Sequence, residues 1–511
     1  MKLTPDLRNP PLWPSNPIFG CFCRVAFYLF IMSISPVSAQ DVALARQLYN
    51  AHPIFQEKAL THRRFKHSAM MPLLERISTT GKLIVQSVGE STEKRSIQKV
   101  QAGTGPTPVL LWSQMHGDEA TATMALFDIV NFLQASGDEW DEFRANLLAG
   151  LTIHMVPMLN PDGAERWQRR TALDIDMNRD ALRLQSPESV ILKNLQQTLK
   201  PLVGFNLHDQ NPRYGVAKTG KQAVLSFLAT AYDEDRSLND VRQRSMQLIA
   251  GLNRVLQPLI PGQIARYDDE FEARAFGDNI QKWGTTLILI ESGGYKGDSE
   301  KMMIRRLNFV AILSALNSIA NRSYEAENVA DYTAIPENGR ALFDVLIRNV
   351  GVVQNGVRTV MDIGINQYEE NVNNARDFRY EGKIDDLGDL STFHGLQEID
   401  ATGLELVPAN VYPETLKSVD KLAKLNLPKL RQKGMVVFRV KKADPEKAYE
   451  KLSAEPVHIL VDGDLPAQPL SLKQIPTFLL KQGGQIQYVV VNGLVMKAGE
   501  QIQKKRFVIL D

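Results

Sequence analysis

A histidine, an aspartate and a glutamate fall together in the stretch "SQMHGDEATATMALFDIVNFL", residues 113 to 133. The stretch begins as an apolar strand and ends as an amphipathic helix, so these polar residues lie in the turn between the two elements. His116 and Glu119 are three residues apart at the start of the helix, and this spacing projects both side chains to the same side. We predict that the two side chains bind one metal ion together, although such a spacing also arises by chance.

Two further apolar strands end in residues that can bind or serve a metal. His208 follows one of them in "GFNLHDQ", and Glu291 follows another in "TTLILIESGG". The carboxyl edge of an α/β sheet is where functional groups collect, and two imidazoles with one carboxylate form a set that binds catalytic zinc and leaves a position for water. A carboxylate beside that water, here Glu291, would act as a general base. The structural alternatives are a hydrogen-bonded core histidine and a glutamate that favours a helix N-terminus.

The segment "NPDGAERWQRRTALDIDMNRD", residues 160 to 180, has the composition of a loop that recognises an anion. It is rich in turn-forming residues at its start and in arginine afterwards. Arg179, flanked by Asn178 and Asp180, is the arginine that we favour for this role. Ordinary solvated arginines are the alternative.

The elements that must position these residues follow an alternating pattern. Residues 41 to about 83 read as helical, and from there to about residue 320 apolar strands alternate with amphipathic helices. This alternation predicts an α/β fold with a mixed, largely parallel sheet and helices on both faces. The predicted strands are "PVLLWSQ", "LTIHMVPML", "PLVGFNLH", "AVLSFLATA" and "TTLILIESG", and helices are predicted after Glu119, Pro187, Leu238 and Ser299.

After about Asn328 the pattern changes to short β-branched segments with turns, which predicts a smaller β-rich domain over residues 335–511. Segments such as "LFDVLIRNVGVVQNG" and "IDATGLELVP" weakly resemble the β-sandwich that flanks the barrel of amidohydrolases. Such an enzyme would continue into an HxH metal motif and a barrel, and neither follows here. We therefore interpret this part as a non-catalytic accessory domain, in which His394 and His458 are structural or surface residues.

Length and composition limit the functional class. A chain of 511 residues with 44% hydrophobic and 23% charged residues can bury a large core and suits two or three domains. The formal net charge of +1 gives no electrostatic reason to expect nucleic acid binding.

The N-terminus has the features of a secretory signal peptide over residues 1–39. Basic residues precede the apolar run "VAFYLFIMSI", and the small residues Val37 and Ala39 form a cleavage site. We expect a secreted or periplasmic protein without stable membrane insertion after signal removal; a short uncleaved anchor or a buried strand is the alternative. Cys21 and Cys23 are the chain's two cysteines, so the mature chain would bind metal through histidine and carboxylate side chains.

Five motifs in order, "HGDE", "NPDG", "DIDMNRD", "NLHD" and "LIESGG", resemble those of the zinc carboxypeptidases of the carboxypeptidase A type. The resemblance covers roughly residues 60 to 320 and implies a catalytic domain with the zinc carboxypeptidase-like fold over residues 40–325. It implies one Zn²⁺ ion bound by His116, Glu119 and His208, with Glu291 as the general base.

The same resemblance implies how a substrate would be bound. Asn178 and Arg179 match the residues that hold the terminal carboxylate of the substrate. Arg170 is the best match for the arginine that polarises the scissile carbonyl, and the adjacent Arg169 is the alternative. Digestive members of the family also carry a tyrosine upstream of the catalytic glutamate, which Tyr267 matches only with a shift in spacing.

These inferences predict a zinc metallocarboxypeptidase that hydrolyses C-terminal peptide bonds of peptide substrates. Two alternatives use the same zinc site: a hydrolase of cell-wall stem peptides and a deacylase of N-acyl amino acids. A third alternative is a metal-free binding protein on a degenerate peptidase scaffold, which would require the loss of one of the four site residues.

Overall fold

The computed structural model of the chain describes residues 36–461, 465, 470–500 and 506–510. The predicted signal peptide lies almost wholly outside these residues and stays a prediction. Residues from Asp41 to Asp511 form one compact unit, and Met1–Gln40 form a separate one. The predicted boundary between a catalytic and an accessory domain likewise stays a prediction.

The first part of the unit is built around an eight-stranded sheet, in the order β1-β2-β4-β3-β5-β9-β7-β8. Its centre, β4-β3-β5-β9, is parallel, and antiparallel pairs occur towards both edges. The strands are β1 Ile84–Glu90, β2 Ser96–Ala102, β3 Thr107–Ser113, β4 Leu151–Val156, β5 Val203–Asp209, β6 Tyr214–Val216, β7 Leu225–Leu228, β8 Ile264–Arg266 and β9 Thr286–Ser292, of which β6 lies outside this sheet.

Helices cover both faces of the sheet, as strand β3 shows. Val109 and Leu111 belong to one buried cluster, whereas Leu110 and Trp112 belong to another, because successive side chains of a strand point to opposite faces. The helices are α1 Pro36–Phe55, α2 His67–Thr80, α3 Thr121–Gln134, α4 Asp141–Gly150, α5 Pro161–Arg166, α6 Pro187–Leu199, α7 Asp240–Leu256, α8 Phe276–Lys282, α9 Met302–Asn321 and α10 Val329–Thr333, with 3₁₀ turns at Met177–Arg179 and Ser323–Ala326. The predicted α/β fold is confirmed.

Helix α9 is the one described helix long and apolar enough to cross a membrane by length and composition. It packs against α3, α4 and α7, and 67% of its most apolar window is buried inside the protein. These contacts are those of a core helix in an α/β fold.

The second part of the unit contains two sheets. One follows the path β13-β12-β11-β15-β19-β20-β21, with β14 also paired to β11, and the other is the parallel sheet β16-β17-β18-β22. The strands are β10 Asn338–Arg340, β11 Leu342–Gln354, β12 Val357–Val372, β13 Asp377–Gly388, β14 His394–Asp400, β15 Glu405–Pro408, β16 Asn410–Val411, β17 Met435–Arg439, β18 Val457–Leu460, β19 Phe478–Gln482, β20 Gln485–Val491, β21 Leu494–Lys497 and β22 Val508–Leu510, of which β10 pairs with β6 in a separate two-stranded sheet.

The parallel sheet and its helices were not expected from the sequence. Helices α11 Val419–Leu422, α12 Leu427–Gln432 and α13 Pro445–Leu452 connect its strands, so the residues between the two halves of the larger sheet form a small α/β layer. A parallel pair requires a crossover connection, which explains why helices interrupt this otherwise β-rich part.

Candidate metal centre

Three adjacent central strands bring the predicted site residues to one edge of the sheet. His208 and Glu291 are partners in the register of β5 and β9, so their side chains leave the same face next to each other. Ser113, the last residue of β3, pairs with Leu207 of β5 on the other side. His116 comes three residues after the end of β3. It therefore lies near the end of the neighbouring strand β5.

The turn after β3 is held by tight backbone packing. Gln114 adopts a left-handed φ of 49°, and its side-chain amide donates to the carbonyl of Gly117 at 2.9 Å. A Cβ atom on Gly117 would lie 2.0 Å from the carbonyl carbon of Gly163, so no larger residue fits between the two loops. Asn160 accepts from Gly163 N at 2.9 Å and donates to Met115 O at 3.3 Å. The loop that starts with "NPDG" thus supports the turn that carries "HGDE".

The carboxylate of Glu119 lies between two imidazole rings. Its Oε1 is 2.8 Å from Nδ1 of His116, and its Oε2 is 2.7 Å from Nδ1 of His208. Potential ligand atoms of the three residues all lie within 4.8 Å of one another, and all three residues are buried. The structure brings the three predicted ligands together; their role as metal ligands stays a prediction.

Neighbouring residues hold the clustered side chains in place through hydrogen bonds, as is typical of metal ligands in proteins. His116 Nε2 lies 3.2 Å from Oδ1 of Asp176, and a proton on Nε2 leaves the Nδ1 lone pair directed at the cluster. The backbone N–H of Asp209 donates to Glu119 Oε2 at 3.2 Å, and Lys301 pairs with the Asp209 carboxylate at 2.9 Å. Nε2 of His208 has no hydrogen-bond partner among the residues that the structure describes. The donor set and its surroundings fit a zinc ion.

The electrostatics of the cluster favour a charged carboxylate. Burial alone would raise the pKa of Glu119, but the two histidines lower it well below its ordinary value. Burial would lower the pKa of His116, but Glu119 and Asp176 raise it to about 9. Burial lowers the pKa of His208, with Glu119 opposing the shift.

Glu291 is a second buried carboxylate beside the cluster. Burial and the charge of Glu119 raise the pKa of Glu291 well above its ordinary value. The negative charge of Glu119 thus disfavours ionisation of Glu291, and a bound cation would favour it. Glu291 therefore lies where the predicted general base is required, and its role stays a prediction.

The arginine that contacts the cluster is Arg169, the alternative named above, whereas Arg170 points elsewhere; the catalytic role of either arginine stays a prediction. Nη1 of Arg169 lies 3.0 Å from Nδ1 of His116, and its Nε is 3.0 Å from Oδ2 of Asp176. Arg170 instead donates to the backbone carbonyl of Asp174 at 2.8 Å. The two side chains therefore make separate contacts, and of the two only that of Arg169 reaches the cluster.

Asn178 and Arg179 lie beside the cluster, where they contact residues 272 and 276. Both belong to the 3₁₀ turn that begins after Asp176, whose side chain accepts from Asn178 N at 3.0 Å. Asn178 Oδ1 accepts from Phe276 N at 3.0 Å, and Arg179 Nε pairs with Glu272 at 3.1 Å. Neither side chain contacts the described ligand cluster directly.

Two tyrosines complete the surroundings of Glu291. Burial and the charge of Glu291 raise the pKa of Tyr267, and its hydroxyl shares a hydrogen bond with that of Tyr214. The two rings lie 6.2 Å apart between centroids. The structure thus brings Tyr267 to the site despite the shifted spacing.

Asp176, Asp209 and Lys301 were missed as site residues by the sequence analysis. Asp176 lies in the quoted motif "DIDMNRD" and Asp209 directly follows His208, so both had a positional signal. Lys301 had none, because it reaches the site from the start of α9, far along the chain.

Comparisons with known proteins agree on one family. A family model described as zinc carboxypeptidase matches residues 73–202. Carboxypeptidase 2 of Trichophyton tonsurans is 27% identical over 163 residues, which cover 31% of this chain and 29% of that protein. Carboxypeptidase 2 of Trichophyton rubrum is 30% identical over 145 residues, 27% of this chain and 26% of that protein. The chain thus spans less than a third of the length of these curated relatives.

Solved structures of metallo-carboxypeptidases also align with the chain. A metallo-carboxypeptidase from Burkholderia cenocepacia aligns with a TM-score of 0.41 and 17% identity over 51% of this chain and 70% of that chain. Carboxypeptidase A from Helicoverpa armigera aligns with a TM-score of 0.40 and 13% identity over 56% of this chain and 81% of that chain.

We expect His116→Ala to abolish stoichiometric zinc binding, because the two remaining ligands fall short of the three protein ligands that hold a catalytic zinc ion. Zinc content after dialysis, measured by atomic emission, should fall from about one ion per chain to near zero. The matched control is His62→Ala at an exposed position outside the cluster, which should retain the ion. Full zinc retention by His116→Ala would contradict the assigned ligand set.

We expect Asp278→Asn to stabilise the protein at alkaline pH and not at acidic pH. Burial raises the pKa of Asp278 from 3.8 to about 7, so the native state holds a proton that the unfolded chain releases. Wild-type stability therefore falls as the pH rises from about 4 through 7, and asparagine removes this loss, on the order of 2–4 kcal/mol. Thermal melts at a series of pH values test it, with the exposed Asp174→Asn as control. A stability difference independent of pH would contradict the prediction.

Proposed function

We propose that this chain, which matches a zinc carboxypeptidase family model over residues 73–202, is a zinc-dependent hydrolase of C-terminal peptide bonds. The observation that carries the proposal is the buried cluster of His116, Glu119 and His208 with the carboxylate of Glu291 beside it. Hydrolysis of an unactivated amide requires these two kinds of group, a metal ligand set and a general base. Because the relatives match over part of their length, the activity of the whole protein is part of this proposal.

The ligand residues would hold one zinc ion, with both histidines bonding through Nδ1. When bound, the ion supplies Lewis acidity, which polarises a carbonyl group and makes water more acidic. The hydrogen bond between His116 and Asp176 keeps the imidazole in the orientation that this bonding requires.

Glu291 would act as the general base and then as the general acid. Its carboxylate would take a proton from the attacking water and deliver it to the nitrogen of the departing amine. Burial supports this role, since a carboxylate with a raised pKa is a stronger base than one in water.

Arg169 would stabilise the negative charge that develops on the carbonyl oxygen. Its guanidinium already lies at the ligand cluster and is held there by Asp176, so little reorganisation is needed during the reaction. A fixed donor of this kind acts mainly on the transition state and therefore on the turnover rate.

Asn178 and Arg179 would bind the C-terminal carboxylate of the peptide. The Arg179 guanidinium is partly exposed and pairs with Glu272, so a substrate carboxylate can replace Glu272 in a similar charge-assisted contact. Recognition of that carboxylate restricts cleavage to the last residue. The N-terminal segment supports secretion or periplasmic export as a further part of the proposal.

The direct test is to incubate zinc-loaded protein with a mixed peptide library and to identify the released residues by mass spectrometry. We expect single C-terminal residues to be released, activity to stop on chelation, and zinc to restore it. Glu291→Gln should bind zinc but lose about 10²–10⁴-fold in kcat, because the proton acceptor is absent. Cleavage confined to cell-wall peptides would instead favour the stem-peptide alternative, and zinc-independent activity would contradict the proposal.

The pair Arg169 and Arg170 gives a matched test of the oxyanion role. We expect Arg169→Ala to lower kcat by about 10²–10³-fold, the usual cost of one oxyanion donor. Arg170→Ala removes the same charge from the neighbouring position and should change kcat less than about twofold. Equal losses in both variants would show that the arginines contribute only general positive charge.

A further inference from the structure

A cavity of about 470 Å³ is lined by residues from both parts of the compact unit. It contains none of the residues of the metal centre. Residues 59 to 69, which approach and begin α2, line one side of it. The turn between β12 and β13, residues 373 to 377, lines the other side together with Glu300 and Arg506.

The lining carries more positive than negative charge. Its cations are Arg64, Lys66, Arg376 and Arg506, and its carboxylates are Glu300 and Asp377. Both carboxylates pair with the same guanidinium, since Nη2 of Arg506 lies 2.9 Å from Glu300 and 3.0 Å from Asp377. Arg64, Lys66 and Arg376 form no ion pair with either of these two carboxylates.

Arg64 is buried at the wall of this cavity with one donor unused. Its guanidinium lies between the rings of Trp167 and Phe378, at 4.7 Å and 4.8 Å from their centroids. Its terminal nitrogens bind Asn371 and Glu369, and the Glu369 carboxylate is shared with Arg63. Its Nε–H has no acceptor among the residues that the structure describes, although Arg64 is only 2% exposed.

Lys66 adds a second buried cation. It is 4% exposed, and its ammonium donates to the backbone carbonyl of Glu165. Burial lowers the pKa of Lys66; the Glu165 carboxylate opposes this, whereas Arg376 and Arg64 lower it further. Arg64, Lys66 and Arg376 thus bring three positive charges to the lining of one cavity, where the two carboxylates of the lining already pair with Arg506.

We propose that this cavity binds a small anion that carries a carboxylate or phosphate group, held by Arg64, Lys66 and Arg376. Guanidinium and ammonium groups bind such oxygens through short charge-assisted hydrogen bonds. The site uses none of the proposed catalytic residues, so it does not depend on the proposed peptidase activity.

The test is titration calorimetry of the full chain with sodium succinate and, separately, with inorganic phosphate, both at constant ionic strength set by chloride. We expect saturable binding of one anion per chain for at least one probe. Arg376→Glu, at an exposed position, should weaken binding by about tenfold or more through the loss of one charge-assisted contact. The control Arg46→Glu makes the same charge change at an exposed position on α1 and should leave the affinity unchanged.

The two probes separate the two chemistries, since preference for succinate identifies a carboxylate site and preference for phosphate a phosphate site. Lys66→Gln, checked for folding by circular dichroism, is a second variant and should also weaken binding. If the anion bound at Arg179 instead, neither Arg376→Glu nor Lys66→Gln would change its affinity, which would contradict the proposal. Absence of saturable binding for both probes, or equal affinity in the wild type and Arg376→Glu, would overturn the proposal.

Discussion

The carboxylate of Glu119, buried between two imidazoles, is the interaction on which the proposed chemistry depends. A buried carboxylate is costly unless cations or several donors neutralise it, and here His116, His208 and the backbone of Asp209 share that task. Glu291 adds a second carboxylate whose pKa is raised by burial and by Glu119. The proposed divalent cation would complete this cluster of carboxylate oxygens and imidazole nitrogens by neutralising its negative charge.

The fold delivers these groups through backbone geometry rather than through a flexible loop. Parallel pairing of β5 and β9 sets His208 beside Glu291 in register. The absence of a side chain at Gly117 lets two loops pack against each other, which fixes the turn that carries His116. Asp176 then contacts both the His116 imidazole and the Arg169 guanidinium, so one carboxylate orients a proposed metal ligand and a proposed substrate-binding group. Rigid elements of this kind hold donors in place before a substrate arrives.

The sequence predicts most of the central sheet because buried parallel strands are continuous apolar runs, as in "TTLILIE" of β9. It also predicts the approach of His116, Glu119, His208 and Glu291, since the ends of such strands meet at one edge. It could not decide between Arg169 and Arg170, because adjacent residues in an irregular loop have no period that shows which one faces inward. Lys301 and the helices around the parallel C-terminal sheet depend on contacts between distant segments, and local sequence carries little signal for these.

The most direct measurement is a crystal structure of the zinc-loaded protein, with anomalous diffraction collected on both sides of the zinc absorption edge. The account predicts one strong anomalous peak at about 2.0–2.2 Å from Nδ1 of His116, Nδ1 of His208 and a carboxylate oxygen of Glu119. The carboxylate of Glu291 should lie near the peak without being one of its ligands. A fully loaded crystal with the peak elsewhere, or with Glu291 in place of one of the three ligands, would contradict the account.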